Sequence, residues 1–299
     1  MKKIGVLAII TTLLISLLSG CGGEKSGAGA AKSGIDPNPA KLRIALLPDE
    51  SPSTVIKNNE GLRNYLAKTL NKEIELVVTT DYSSMIEAMR KGHIEVAYFG
   101  PLSYVLLKQK MENVEPFAAK LDKGAPTYNA VVIAGANTGI AQLSDIKGKT
   151  VAFGDVASTS SHMIPKEMLK NAGLEAEKDY KQQFVGAHDA VAIAVQNGNA
   201  EAGGLSKPIF DSLVEKGTID KNKVKVIAVS KPYPNYPWVM NSELDPQLKE
   251  SIKKALYDLK DKDVLKPLKT EGFVPITDKD FDVIRDMVKL LDIDLEEVQ

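Results

Sequence analysis

The stretch VAFGDVASTSSH, residues 151–162, passes from an apolar run through small and acidic residues to four consecutive hydroxyl side chains. Its first five residues predict the end of a β-strand, and the hydroxyl run predicts the start of a helix that reaches about Asn171. The first N–H groups of a helix lack partners inside it, and the helix dipole makes that end partly positive. Hydroxyl donors there predict a socket for a tetrahedral oxyanion that uses no formal charge. The alternative is that Ser158 or Thr159 only caps the helix, although four hydroxyl residues exceed what a cap needs.

Strand and helix patterns alternate on both sides of this turn. Residues 41–134 show the order β-α-β-α-β-α-β, and a second alternation fills residues 135–232, which predicts an α/β fold with parallel or mixed sheets. The segment KPYPNYP, residues 231–237, then interrupts the pattern, because its three prolines cannot continue a helix or a central strand. We expect lobe 1 to comprise residues 41–134 and 233–299, with residues 135–232 inserted as lobe 2. The ligand cleft should lie between the lobes, at the carboxyl ends of strands.

The N-terminal segment predicts export. Lys2 and Lys3 precede an apolar run of about fifteen residues, which is short for a membrane span and typical of a signal peptide. The run ends in LSGC, residues 18–21, which matches the lipobox of bacterial lipoproteins, and Cys21 is the single cysteine of the chain. We expect a signal peptide over residues 1–20, a lipidated Cys21 and a flexible tether to residue 40. The protein would then be anchored to the cell membrane by lipid, on the extracytoplasmic face; an ordinary secretory signal is the alternative.

Composition argues against several classes of protein. Lys and Arg total 38 against 39 for Asp and Glu, the net charge is −1, and no basic stripe indicates a nucleic-acid partner. Three histidines and one cysteine provide no metal cluster of usual spacing, so we expect no metal and no cofactor. The chain also lacks a G-x-S-x-G nucleophile elbow, which argues against a hydrolase.

Further segments make the chain similar to a known family. They are the pair Asp81-Tyr82, VAYFGPLS (residues 96–103), GAPTY (124–128), the hydroxyl turn itself and GAHDA (186–190). With the lipobox and the two lobes, the chain resembles the substrate-binding lipoproteins of ABC importers for phosphonate, phosphite and related phosphorus oxyanions over residues 41–285. The resemblance implies a two-lobed periplasmic-binding-protein-like fold (type II) and a binding protein rather than an enzyme. It also implies an ABC permease with its cytoplasmic ATPase as partners.

The resemblance implies which residues contact the ligand. In chain order they are Ser53, Tyr98, Phe99, Tyr128, Ser158, Thr159, Ser160, His188, Asp189 and Ser206. His188 matches a histidine that donates to a phosphoryl oxygen, and Tyr128 matches a tyrosine of the cleft. Asp189 lies where the family often has an acid near the ligand's substituent. Phe99 stands where some members have tyrosine, so a hydroxyl contact is lost there.

Ser206 departs from the family pattern, because several binders of amine-type phosphonates carry an acid or an amide at this position. Serine can donate to an anion but cannot balance an ammonium group. The departure favours a compact ligand such as phosphite, phosphate or methylphosphonate, while Asp189 leaves an aminoalkylphosphonate open. Two other functions stay open as well: a receptor for a sulfonate or sulfate, and a lipoprotein enzyme on the same scaffold.

Overall fold

The computed structural model describes residues 35–293. The predicted signal peptide, Cys21 and residues 22–34 of the predicted tether lie outside this range. Residues 35–40, which we predicted as the end of the tether, instead pack on the folded chain: Ile35 is buried, and the Pro37 carbonyl accepts from the N–H of Asp245 at 2.8 Å. None of the helices within residues 35–293 combines the length and the apolar character needed to cross a membrane.

Strands and helices alternate along most of the described chain. The strands are β1 (Lys41–Leu46), β2 (Glu73–Val78), β3 (Val96–Tyr98), β4 (Val114–Lys120), β5 (Thr127–Tyr128), β6 (Ala130–Gly135), β7 (Thr150–Phe153), β8 (Lys181–Phe184), β9 (Ala202–Ser206), β10 (Val224–Val229), β11 (Tyr233–Pro234), β12 (Pro237–Asn241) and β13 (Phe273–Pro275). The helices are α1 (Pro52–Leu70), α2 (Tyr82–Arg90), α3 (Pro101–Lys110), α4 (Ile164–Asn171), α5 (His188–Gln196), α6 (Lys207–Glu215), α7 (Pro246–Tyr257), α8 (Lys262–Leu265) and α9 (Asp282–Leu290).

Lobe 1 is built on a six-stranded sheet of order β13-β4-β12-β3-β1-β2. Strands β1, β2 and β3 are parallel, and β12 runs antiparallel to both β3 and β4. Strand β4 therefore points the same way as β1 to β3, so these four strands present their carboxyl ends at one edge. Helices α1, α2 and α3 begin just beyond that edge. Proline at the first position favours the start of α1 and α3, and the Asp81 side chain caps α2.

Lobe 2 is built on a five-stranded sheet of order β10-β6-β9-β7-β8. Its second strand, β6, corrects the prediction that residues 130–134 belong to lobe 1. Every residue of β6 is buried, and the strand pairs antiparallel with both β9 and β10. A continuously apolar strand needs cover on both faces and neighbours on both edges, and β6 finds them in the second sheet.

The two chain crossings between the lobes pair with each other. Tyr128 of β5 lies opposite Tyr233 of β11, and Thr127 lies opposite Pro234, in a two-stranded antiparallel ribbon. The proline-rich segment is extended here, as its composition predicts, and it leads directly into β12. The crossings thus form a short double connection beside the cleft.

Candidate functional site

A cavity of about 60 Å³ lies between the lobes, at the carboxyl edge of the first sheet. Asp49, Tyr98 and Lys120 line it from lobe 1, and Ser206 lines it from lobe 2. Tyr128 and Tyr236 reach it from the two crossings. The predicted residues Tyr98, Tyr128 and Ser206 therefore meet at one place.

Aromatic rings form one wall of this cavity. The rings of Tyr98 and Tyr236 are 5.4 Å apart, and Tyr128 meets Tyr236 edge-on at 5.1 Å. On its far side Tyr98 packs against Trp238 at 5.3 Å, because the two residues lie opposite each other on β3 and β12. The Lys120 ammonium stands 4.2 Å from the centre of the Tyr98 ring, a cation–π contact.

The hydroxyl turn opens with a cap and continues as a single π-helical turn, Thr159–Met163, that leads into α4. Ser158 Oγ accepts from the N–H of Ser161 at 3.1 Å, so the capping role is present. The hydroxyls of Thr159 and Ser160 instead make contacts outside their own helix. Thr159 Oγ1 accepts from the N–H of Leu102 at 2.8 Å, across the lobe boundary, and Ser160 Oγ lies 3.3 Å from the Tyr236 hydroxyl. All three hydroxyl residues are buried, so the turn both caps its helix and faces the cleft.

His188 is a neutral donor in this arrangement. The backbone N–H of Ser206 donates to His188 Nδ1 at 3.0 Å, so the ring proton must sit on Nε2. Nε2 lies 3.4 Å from Ser158 Oγ. Burial, with a smaller effect from the charge of Lys269, lowers the pKa of His188 to about 3. His188 can therefore offer Nε2–H beside the hydroxyl turn without adding positive charge.

Three other predicted residues lie away from the cavity. The Asp189 carboxylate accepts from the N–H of Ser51 at 3.1 Å and from that of Ala190 at 2.9 Å. Phe99 is fully buried in the core of lobe 1. Ser53 is exposed on the first turn of α1. None of the three is among the described residues that line the cavity. The hydroxyl turn and His188 do not line it either, but Ser160 contacts the lining residue Tyr236, and His188 contacts the lining residue Ser206.

Lobe 2 supplies hydrogen-bond acceptors to three helix starts of lobe 1. Asp189 accepts from Ser51 at the cap of α1, Asp155 Oδ2 accepts from the Tyr82 N–H at the start of α2 at 3.3 Å, and Thr159 serves α3. The N–H groups at a helix start lack partners within the helix and favour negative charge. We call these three contacts the helix-start contacts; they hold the lobes together around the cavity.

Two buried hydroxyls lie beside the hydroxyl turn: that of Tyr128, which the sequence predicted as a ligand contact, and that of Tyr82, which it did not. Tyr82 Oη and Tyr128 Oη have no hydrogen-bond partner within the described chain. Ser158 stands near Tyr82, and Ser160 and Thr159 stand near Tyr128; each partly offsets the rise in tyrosine pKa that burial causes. Tyr82 directly follows β2 and its N-cap Asp81, and residues at the carboxyl ends of parallel strands converge at one edge. That rule could have placed Tyr82 at the cleft.

The same rule could have found two charged residues. Asp49 follows β1, and Lys120 is the last residue of β4. Burial, followed by the charge of Glu50, raises the pKa of Asp49 to about 7, and burial lowers the pKa of Lys120 to about 8. The cleft therefore contains formal charge of both signs, whereas the hydroxyl turn alone predicted none.

Comparisons with known proteins show the family of the chain. A family model described as ABC transporter, phosphonate, periplasmic substrate-binding protein matches residues 44–281. The chain is 28% identical to the phosphate-import protein PhnD of Mycolicibacterium smegmatis, over 93% of this chain and 94% of that protein. It is 25% identical to the probable ABC transporter phosphite binding protein PhnD1 of Prochlorococcus marinus, over 73% of this chain and 76% of that protein.

A solved structure of PhnD1 from Prochlorococcus marinus in complex with methylphosphonate superposes with a TM-score of 0.80 at 22% identity, covering 85% of this chain and 99% of that one. The likeness confirms the predicted two-lobed α/β binding-protein fold. The chain belongs to the family of periplasmic substrate-binding proteins of phosphonate ABC transporters, which are transport proteins and not enzymes.

Proposed function

We propose that this protein captures a compact phosphorus oxyanion, such as phosphite, phosphate or methylphosphonate, between its lobes and delivers it to an ABC permease. Relatives named for phosphate import and for phosphite binding support the ligand class. The observation that carries the proposal is the pair of buried hydroxyls, Tyr82 Oη and Tyr128 Oη, which lack partners within the described chain. Leaving such a group unsatisfied costs roughly 1–3 kcal/mol, and an oxyanion supplies the acceptors that both need.

The surrounding donors suit a tetrahedral anion. His188 offers Nε2–H, Lys120 offers an ammonium group, and the hydroxyls of Ser158 and Ser160 lie next to the two tyrosines. Hydrogen bonds to an ionised acceptor are roughly twice as strong as neutral ones. Several such donors from both lobes would stabilise the closed arrangement through contacts that exist only there.

The size of the cavity supports a small ligand. A cavity of about 60 Å³ is small, which favours a compact oxyanion with hydrogen, hydroxyl or methyl as its fourth substituent. A longer aminoalkyl substituent would need further space. Asp189, which left an aminoalkylphosphonate open in the sequence analysis, is occupied by the Ser51 and Ala190 N–H groups.

In this proposal the two lobes move as rigid bodies about the paired crossings β5 and β11. The permease that receives the ligand is driven by its ATPase on the cytoplasmic side. The extracytoplasmic location follows from the family. A lipid on Cys21 would keep the protein near the permease, and the small and polar residues after it would serve as a tether. Replacing Cys21→Ser should move the protein from the membrane fraction to the soluble fraction after cell breakage; retention in the membrane fraction would remove the anchor from the proposal.

Calorimetric titration of the secreted Cys21→Ser protein, freed of ligand by unfolding and refolding, tests the ligand class. The panel is phosphite, phosphate, methylphosphonate, 2-aminoethylphosphonate and sulfate. Tyr82→Phe and Tyr128→Phe should each lower the affinity for the preferred anion by about tenfold or more, because each removes a hydrogen bond to a charged group.

Tyr180→Phe is the matched control. Its hydroxyl is likewise buried without a partner in the described chain, but it packs in lobe 2 against Phe153. The control should leave affinity unchanged. Tight binding of sulfate alone, or equal losses in all three variants, would contradict the proposal.

A further inference from the structure

Two groups of opposite charge face the cavity without pairing to each other or to any other charged group of the described chain. The Asp49 carboxylate has no hydrogen-bond partner there apart from its own backbone N–H, and the Lys120 ammonium contacts the Tyr98 ring. The neighbouring charges are already used, because Glu50 is ion-paired with Lys269. Asp49 and Lys120 are thus free for whatever the cavity holds. Asp122 also lines the cavity, but Asp49, and not Asp122, is the aspartate whose charge acts on the tyrosines there.

The position of Asp49 relative to the tyrosines is equally specific. Asp49 lines the cavity together with Tyr98, Tyr128 and Tyr236. Burial raises the pKa of these tyrosines and of Tyr82, and the charge of Asp49 raises it further in all four. The charged groups that act on Asp49 itself are Glu50, Lys120 and Lys269. The Asp49 carbonyl also accepts from the His188 N–H at 2.9 Å, which ties this loop to lobe 2. The Asp49 carboxylate thus lies among hydrogen-bond donors that we expect to bind an anion.

A carboxylate in an anion site is unfavourable unless the ligand brings a proton. The monoanions of phosphite and alkylphosphonates carry one P–OH group and that of phosphate carries two, and all have unprotonated oxygens as well. Sulfate and alkylsulfonates at neutral pH present acceptors only. Beside the Asp49 carboxylate the first kind of ligand forms an O–H···O⁻ hydrogen bond, which is short and strong. The second kind places like charges together unless Asp49 itself takes up a proton, so its affinity falls as the pH rises through the Asp49 pKa of about 7.

We propose that Asp49 determines specificity by accepting a hydrogen bond from the P–OH group of the ligand, while Lys120 and the tyrosine hydroxyls donate to its other oxygens. The inference rests on the proposed function and deepens it, because it names the protonated phosphorus oxyanion as the form that is bound. If Asp49 has this role, the site discriminates against sulfur oxyanions of the same shape although its positive and negative charges balance. An ammonium substituent could satisfy Asp49 too, but it would then stand close to Lys120.

The decisive comparison is methylphosphonate against methanesulfonate, which differ chiefly in the presence of the acidic proton. Calorimetry on the secreted Cys21→Ser protein should show that it strongly prefers methylphosphonate. Asp49→Asn should reduce that preference by roughly ten- to hundredfold, through weaker methylphosphonate binding and stronger methanesulfonate binding. Asp49→Ser provides a second variant without the carboxylate, and a cooperative melting transition shows that each variant is folded.

Asp263→Asn is the control for the loss of one negative charge, since Asp263 is exposed and does not line the cavity. It should leave the preference intact. A preference unchanged in Asp49→Asn, or reduced equally in the control, overturns the role of Asp49 while the proposed function stands. A loss confined to 2-aminoethylphosphonate would assign Asp49 to an ammonium group and overturn the inference as well. A wild-type protein that binds no phosphorus oxyanion would overturn both proposals.

Discussion

His162 and His188 are buried neutral histidines that carry their ring protons on different nitrogens. His188 Nδ1 accepts from Ser206, which leaves Nε2–H facing the hydroxyl turn. His162 Nδ1 lies 2.7 Å from the carbonyl of Val156 and must donate to it, so its Nε2 carries no proton. Edge contacts with Phe153 and Phe184 surround the His162 ring. The neighbouring backbone group decides the tautomer, and the tautomer decides whether the histidine can serve a ligand.

Burial lowers the pKa of His162 to about 4, below its ordinary value of 6.5. As the pH falls from 6.5 to 4 the unfolded chain takes up a proton at this residue and the folded chain does not, so the free energy of unfolding falls with the pH. The contribution is on the order of 3 kcal/mol across that window. His162→Asn keeps a donor for the Val156 carbonyl, and its melting temperature should fall less steeply between pH 6.5 and 4.

The matched control for this acid sensitivity is His93→Asn, which replaces an exposed histidine. Thermal unfolding of the wild type and both variants at several pH values checks the prediction. Because the prediction concerns the slope, a uniform loss of stability in His162→Asn does not affect it. Parallel curves for the wild type and His162→Asn would contradict it.

The helix-start contacts connect secondary-structure elements of the two lobes, so they form only when the lobes are closed on each other. Each joins an N–H at the start of a helix in lobe 1 to an oxygen from lobe 2, namely Asp155, Thr159 or Asp189. A carboxylate near a helix start is worth roughly 0.3–1 kcal/mol at exposed sites and up to about 2 kcal/mol when partly buried. The contacts therefore stabilise closure independently of what the cavity contains.

Asp155→Ala and Asp189→Ala should consequently weaken every ligand by the same factor, about three- to thirtyfold each, because closure becomes less favourable while ligand contacts are unchanged. Titration with two different ligands measures the factor, and small-angle X-ray scattering measures the closed fraction. A ligand-dependent loss would mean that these carboxylates touch the ligand.

Asp81→Ala is the control for the helix-start contacts. Asp81 caps α2 by accepting from the Ser84 N–H at 2.7 Å, wholly within lobe 1. Its loss should cost about 1 kcal/mol of stability, as for other caps, and leave affinity unchanged. An equal loss of affinity in this variant would show that any disturbed helix start, and not lobe closure, explains the effect.

The sequence predicted strands and helices where the local pattern determines them, but it did not predict which strands pair with each other. The apolar run 130–134 was correctly predicted as a strand, but nothing local distinguishes the first sheet from the second. The strand pairs with β9 and β10, whose paired residues lie about seventy to a hundred positions further along the chain. The helix after the hydroxyl turn ends at Asn171, as predicted. Its beginning differs, since a π-helical turn precedes α4 and redirects the hydroxyls toward lobe 1.

For the whole molecule, the alternation and the proline segment sufficed to predict two lobes with a cleft. The site was predictable in part: Tyr98, Tyr128 and Ser206 lie on the cavity, with the hydroxyl turn and His188 beside it. Asp49 and Lys120 were missed because their nearness depends on which strands are neighbours in the sheet. The position of Asp189 depends on how one lobe meets the other, which no local pattern encodes.

Trp238 is the single tryptophan of the chain. It packs on the back of Tyr98, whose ring also contacts Tyr236 and the Lys120 ammonium at the cavity. The only indole fluorophore is therefore one ring away from the cavity that we propose as the ligand site, and its emission depends on the packing and electric field of that ring. The fluorescence of Trp238 can therefore report whether the cavity is occupied, without an attached dye.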